Sequence, residues 1–325
     1  QASENGCTAS HPQFVKGKAG SPYAICDYYD VNAYLADDPE NRMSEFESLL
    51  KRTHDAGLKL IIDFVPNHVA RDYGKTAPTS GHPVLGADDD KNVHWTAEND
   101  FFYYPGQKLT LPTPTPAGMQ PYQECPAMAT GNNCYSPNPG INDWYETVKI
   151  NNGDSHTGTW DKMLDIIMYW SAKGVDGFRC DMVELVPPQF FKWLIAKTKE
   201  TYPDIIFVAE VYKKDLYNEY IRNVGFDLLY DKSGLYDTLR TVVDKGINDN
   251  GMPVELWQSA TGITRNWQFL GDLQPYMLNF LENHDEQRFA SDFFGKSAGN
   301  TLAPLYVSLF MNTAPFMIYF GEEAG

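Results

Sequence analysis

The chain has 325 residues, 42% of them hydrophobic and 14% aromatic, ample for one large core. Its net charge of -17 argues against a nucleic-acid partner, whose phosphates it would repel, and suits a neutral, hydroxyl-rich substrate. No apolar run approaches the roughly 18 residues of a membrane span.

Residues 1–43 read as mostly irregular, and no signal peptide opens the chain. A helix is expected from Ser44. Ser44 and Glu47 have capping-box spacing, Phe46, Leu49 and Leu50 supply a buried face, and Gly57 ends it. Residues 58–65 are almost without polar interruption and predict a strand buried on both faces. The texture changes from about 69 to 159, and residues 105–140 hold 8 of the 21 prolines. That is too long for a plain loop, so it reads as a subdomain inserted after a strand.

Helical spacing resumes through Trp160, Met163, Leu164, Ile167 and Met168 and stops at Gly174. A strand is expected over 175–181, a helix over 188–201, and a strand over 205–210. A weaker strand surrounds Phe226-Asp227-Leu228-Leu229, and two more lie at 276–283 and 314–320. Strands alternating with helices predict an α/β fold with parallel strands. Six strands are legible where a closed (β/α)8 TIM barrel needs eight. The expectation is a barrel built from 1–68 and 160–325, interrupted by an inserted domain at 69–159. It would lack its first two strands and a C-terminal domain, as a piece of a longer protein.

Cys180 lies between Arg179 and Asp181 on a strand, so it faces away from them and packs as a small hydrophobe. Cys125 could pair with Cys134, and Cys7 with Cys26. Four cysteines allow three connectivities, and five free thiols are the alternative.

Four apolar segments end in residues with chemistry. They are Leu60-Ile61-Ile62-Asp63-Phe64-Val65-Pro66-Asn67-His68, Gly177-Phe178-Arg179-Cys180-Asp181, Ile205-Ile206-Phe207-Val208-Ala209-Glu210 and Phe280-Leu281-Glu282-Asn283-His284-Asp285. Parallel strands place their C-terminal ends at one face, where barrel enzymes keep their chemistry. Cleaving a glycosidic bond takes one carboxylate to attack the anomeric carbon and one acid to protonate the leaving oxygen. Arg179 and Asp181 are two apart, so the guanidinium can hold Asp181 ionised. Glu210 closes an apolar strand, where loss of water favours the protonated acid. His68, His284 and Asp285 can bond sugar hydroxyls, and Asp63 lies deeper and orients its region.

These segments, in this order and wording, resemble the α-amylase family of retaining glycoside hydrolases and transglycosylases. Gly-Phe-Arg-Cys-Asp-Met-Val-Glu and Phe-Leu-Glu-Asn-His-Asp-Glu-Gln-Arg are most similar to the α-amylase and neopullulanase-like enzymes of bacterial starch-utilisation systems. The resemblance implies Asp181 as nucleophile, Glu210 as acid and then base, and Asp285 as transition-state stabiliser. It places Arg179, His68 and His284 around the sugar at the cleavage point, with Tyr23 stacking on it. It implies α-1,4 cleavage in starch, glycogen or maltooligosaccharides. Glucanotransferase, branching and cyclomaltodextrinase or neopullulanase activities are the alternatives, and a catalytically silent glycan-binding relative is a further one. Ala24, where chain-end trimmers often carry an acid, favours endo action. Asn67 matches an asparagine that often holds a structural Ca2+. Binders of that ion usually carry a histidine after the nucleophile, and Met182-Val183-Glu184-Leu185 has none, so calcium stays open. Polymeric substrate and the cysteines point to the periplasm or cell exterior, with a cytoplasmic enzyme as the alternative.

Overall fold

Parallel strands followed by helices recur through the computed structural model, which describes residues 10–17, 20–74, 81–243 and 260–324. Two compact units result, Gln1–Ile206 and Phe207–Gly325.

In the first unit, helix α1 spans Arg42–Asp55 and begins before the expected Ser44. Asn41 occupies the cap position, so the Ser44–Glu47 box does not form. Glu45 instead accepts from the backbone N–H groups of Asp37 and Asp38, at 2.8 and 2.7 Å, fixing the entry to the helix. Leu50 is buried but Leu49 is 43% exposed, so the buried stripe is narrower than its spacing suggested. Gly57 follows the last turn with φ +74°, a left-handed conformation that glycine adopts without strain.

Strand β1, Ile61–Phe64, is shorter than expected and is not buried on both faces. Ile61 and Asp63 are exposed while Phe64 is buried, because alternate side chains leave opposite faces and one face here is uncovered.

The segment from 69 to 159 is held by two short antiparallel ladders. Strand β2, His68–Ala70, pairs with a later strand, and between them β3, Tyr103–Tyr104, pairs with β4, Ala127–Met128. The partner of β2 is β5, Thr147–Lys149, whose register sets His68 opposite Lys149. A buried guanidinium braces this region. Arg71 donates to the carbonyls of Tyr145 and Thr147 at 2.7 and 2.9 Å and to Glu124 at 2.6 Å. The expected Cys125–Cys134 bond is absent, and both are thiols. The Cys134 backbone is bridged to Thr130, and its sulfur lies against Thr130 and Asp143 rather than toward Cys125. Cys7 lies outside the described residues.

Helix α2, Gly158–Lys173, ends at Gly174 in the left-handed conformation, as its sequence indicated. It buries Trp160, Met163, Ile166, Ile167 and Trp170. Strand β6, Gly177–Cys180, runs parallel to β1 with Asp63 paired to Arg179. A Cβ at Gly177 would come within 2.6 Å of the Ile206 carbonyl oxygen, so glycine is required there. Helix α3, Pro188–Thr201, matches its predicted bounds and packs against α2 through Phe190, whose ring lies 5.6 Å from that of Trp160.

In the second unit, β7, Ile206–Ala209, β8, Leu228–Tyr230, and β9, Met277–Phe280, pair in parallel, and β10, Phe316–Met317, pairs with β9. Helices α4, Asp237–Val243, and α5, Ala260–Leu270, lie between β8 and β9, and α6, Ala298–Phe310, lies between β9 and β10. The predicted strand over 314–320 shrinks to two residues, and Phe320 is almost fully exposed. No helix among the described residues is long and apolar enough to cross a membrane.

Candidate active site

Asp181 follows β6 directly, and its N–H donates to the Phe64 carbonyl at 2.9 Å, extending the β1–β6 ladder by one residue. Its carboxylate is buried. Arg179 points to the same side, and its Nη1 donates to Asp181 Oδ1 at 2.7 Å. The same nitrogen lies 3.1 Å from Asp63 Oδ1. The guanidinium also stands over the Tyr23 ring, 5.4 Å from its centroid. One cation thus meets two carboxylates and an aromatic face, and a guanidinium so placed favours the charged form of a neighbouring carboxylate and fixes its orientation. Met182, the next residue, has φ +48°, a conformation uncommon for a side chain of this kind, so the strand ends in a sharp turn immediately after Asp181. Cys180 faces the other way and is buried, which pushes its thiol pKa up and leaves it unreactive.

Asn67, in the connection after β1, and His68, the first residue of β2, lie beside this cluster. His68 is buried, and burial first, then the Lys149 charge, lowers its pKa to about 4, so it is a neutral imidazole. Its Nδ1 lies 2.9 Å from Asn67 Nδ2, and its ring meets Trp144 edge-on with centroids 5.4 Å apart. Asn67 Nδ2 also donates to the Gly131 carbonyl at 2.8 Å. A side chain on Gly131 would strike His68 Cβ at 2.8 Å, so this close approach needs glycine. Asn67 Oδ1 accepts from the Lys149 ammonium. Burial lowers the Lys149 pKa to about 7, and its side-chain nitrogen is bonded to the Asn67 Oδ1 and Leu185 carbonyl oxygens.

This donor set does not fit a calcium ion. Such an ion takes six to eight oxygens with carboxylates among them. Asn67 Oδ1 already receives a cation, and the described residues contain no group of three or more His, Cys, Asp or Glu side chains placed to hold a metal.

In the second unit, Glu210 follows β7, is buried, and accepts from the Tyr212 hydroxyl at 2.7 Å. Asp285 and His284 lie in the loop after β9. The His284 Nε2 is 3.3 Å from Asp285 Oδ2, and the Asp285 side chain is 52% exposed. Asn283 Oδ1 accepts from the N–H groups of both Asp285 and Glu286 at 2.9 Å, closing a tight turn around the pair. Glu286 accepts from Tyr236 at 2.9 Å and lies 3.1 Å from Lys232, so the far side of the loop is anchored too.

The structure therefore gathers Tyr23, Asp63, Asn67, His68, Arg179 and Asp181 in the first unit, and pairs His284 with Asp285 in the second. Sequence reasoning missed three residues. Tyr212 is two residues past Glu210, a spacing that could have signalled a shared side. Tyr28 donates to the Val65 carbonyl at 2.5 Å and pins the connection leading to His68, and burial raises the pKa of its hydroxyl. Lys149 becomes visible only once β5 is known to pair with β2.

Comparison with known proteins follows the same residues. The family model described as Alpha amylase, catalytic domain, matches residues 11–325. Alpha-amylase 3 of Dictyoglomus thermophilum is 25% identical across 93% of the chain and 53% of its own length. An alpha-1,4-glucan:maltose-1-phosphate maltosyltransferase of Mycobacterium tuberculosis is 28% identical across 49% of the chain and 22% of its own length. The chain thus spans about half the length of the first relative and less of the second. Among solved structures, a cyclic alpha-maltosyl-(1→6)-maltose hydrolase from Arthrobacter globiformis superposes with a TM-score of 0.62 at 20% identity, over 95% of this chain and 60% of that one. That last likeness is one of fold.

Proposed function

Since the chain belongs to the alpha-amylase catalytic domain family, we propose that the whole protein cleaves α-1,4-glucosidic bonds in starch-like glucans with retention of configuration. The observation that carries this reading is the Arg179 guanidinium bonded to Asp181 beside Tyr23. In this reading Asp181 attacks the anomeric carbon while Glu210 gives its proton to the departing glycosidic oxygen. Glu210, now a carboxylate, takes a proton from water, and that water releases the sugar from Asp181. Tyr23 supplies a stacking face, and Asp285 with His284 and His68 bonds the ring hydroxyls. Tyr212 positions the Glu210 carboxyl by its hydrogen bond.

Transfer to a second sugar is the other reading, supported by the similarity to a maltosyltransferase. The same three carboxylates serve it, and the outcome turns on whether water or a sugar hydroxyl meets the glycosyl-enzyme. Incubating the full-length protein with amylose and with pullulan, and sizing the products over time, separates the two. A ladder shortening toward maltose and glucose supports hydrolysis, and products longer than the input chains support transfer. No change in either glucan would remove the proposed activity.

A further inference from the structure

The buried Lys149 ammonium joins two parts of the first unit that carry chemistry. It donates to Asn67 Oδ1, beside His68, and to the Leu185 carbonyl at 2.8 Å, four residues beyond Asp181. Both acceptors are neutral oxygens, and Lys149 and Asn67 are 4% and 0% exposed. The β2–β5 register explains how the side chain arrives there. Residues directly opposite in an antiparallel pair project to one side, so Lys149 rises beside His68 and next to Asn67. The segment receiving its second bond, the short 3-10 turn Val183–Leu185, starts from Met182 in its left-handed conformation. Three protons on a compact charge, shared among neutral oxygens that converge from separate loops, do what a bound cation does in tying carbonyl oxygens together.

We propose that Lys149 is a built-in cation that takes the place of a metal ion at Asn67, fastening the turn after Asp181 to the connection that leads into β2 at His68. Lys149 is thereby a positioning residue, and this part of the fold assembles without calcium. A divalent ion at Asn67 Oδ1 would have to expel the ammonium, and the described residues place no group of three or more His, Cys, Asp or Glu side chains to receive it.

The test compares thermal midpoints of the full-length protein and its Lys149→Met variant, each in EDTA and in millimolar CaCl2. Methionine keeps much of the chain length and removes the charge. The expected result is a wild-type midpoint that does not move between the two solutions, and a variant midpoint lower by several degrees in both. A calcium response of equal size in both proteins belongs to another part of the chain, and the lower variant midpoint then still supports the proposal. A variant midpoint equal to wild type overturns it. So does a wild-type calcium response that disappears in the variant, since the ion would then depend on this site. Should Lys149→Met fail to fold, Asn67→Asp serves. The proposal predicts a new ion pair with Lys149 and no calcium response beyond that of the wild type, whereas a metal site would gain a stronger one.

Discussion

Asp181 and Asp285 each follow a buried parallel strand, yet they are held in opposite ways. Asp181 continues the ladder, with its backbone bonded to Phe64 and its buried carboxylate bonded to Arg179. Asp285 sits five residues past the end of β9, half exposed, in a loop that Asn283 folds through two backbone bonds. The first arrangement fixes a charge before substrate arrives. The second offers a half-exposed carboxylate beside a histidine, which suits its proposed role of bonding sugar hydroxyls that come and go. A group that forms a bond must be preorganised, while one that binds can adjust.

Breaking the rigid side should cost most. Asp181→Asn should lower kcat by about 10⁴-fold or more, by removing the attacking oxygen charge. The asparagine oxygen can still accept from Arg179, so the thermal midpoint should stay close to that of the wild type. A variant retaining a tenth of the activity would show that another group attacks. Arg179→Lys keeps a charge but loses the guanidinium plane that lies over Tyr23 while its Nη1 meets both Asp181 and Asp63. It should lower kcat/KM roughly 100-fold, the scale of a misplaced reacting group. Loosening the adaptable side should cost less. Asn283→Ala removes the acceptor of two backbone N–H groups and should reduce kcat/KM about tenfold, with most of the change in KM. An Asn283→Ala loss as large as that of Arg179→Lys would erase the distinction between the two loops.

Much of this was legible in the sequence because it was local. The stop at Gly174, the bounds of α3 and the shared side of Arg179 and Asp181 follow from a helical period, a proline start and a two-residue strand repeat. Reading failed where a neighbour distant in sequence decides the outcome. Residues 58–65 look like a strand covered on both faces, but coverage depends on what packs there, and Ile61 and Asp63 are exposed. Ser44 and Glu47 have the spacing of a capping box, but the chain before α1 presents Asn41 at the cap and uses Glu45 for its own bonds. Asn67 left calcium open in the sequence, and the Lys149 that faces it, which bears on that question, comes from a strand some eighty residues later. Cys125 and Cys134 are close in sequence, yet the backbone bridge to Thr130 orients the second thiol elsewhere.

The central claim is that Asp181 is the nucleophile of a retaining cleavage. A fluorinated glucosyl fluoride, whose glycosyl-enzyme hydrolyses slowly, would be incubated with the full-length protein, and the digested peptides weighed by mass spectrometry. The account predicts one added glycosyl mass on the peptide containing Asp181, and none on that peptide in Asp181→Asn. A label on the peptide carrying Glu210 or Asp285 would contradict it, as would turnover of the reagent with inverted product and no label at all.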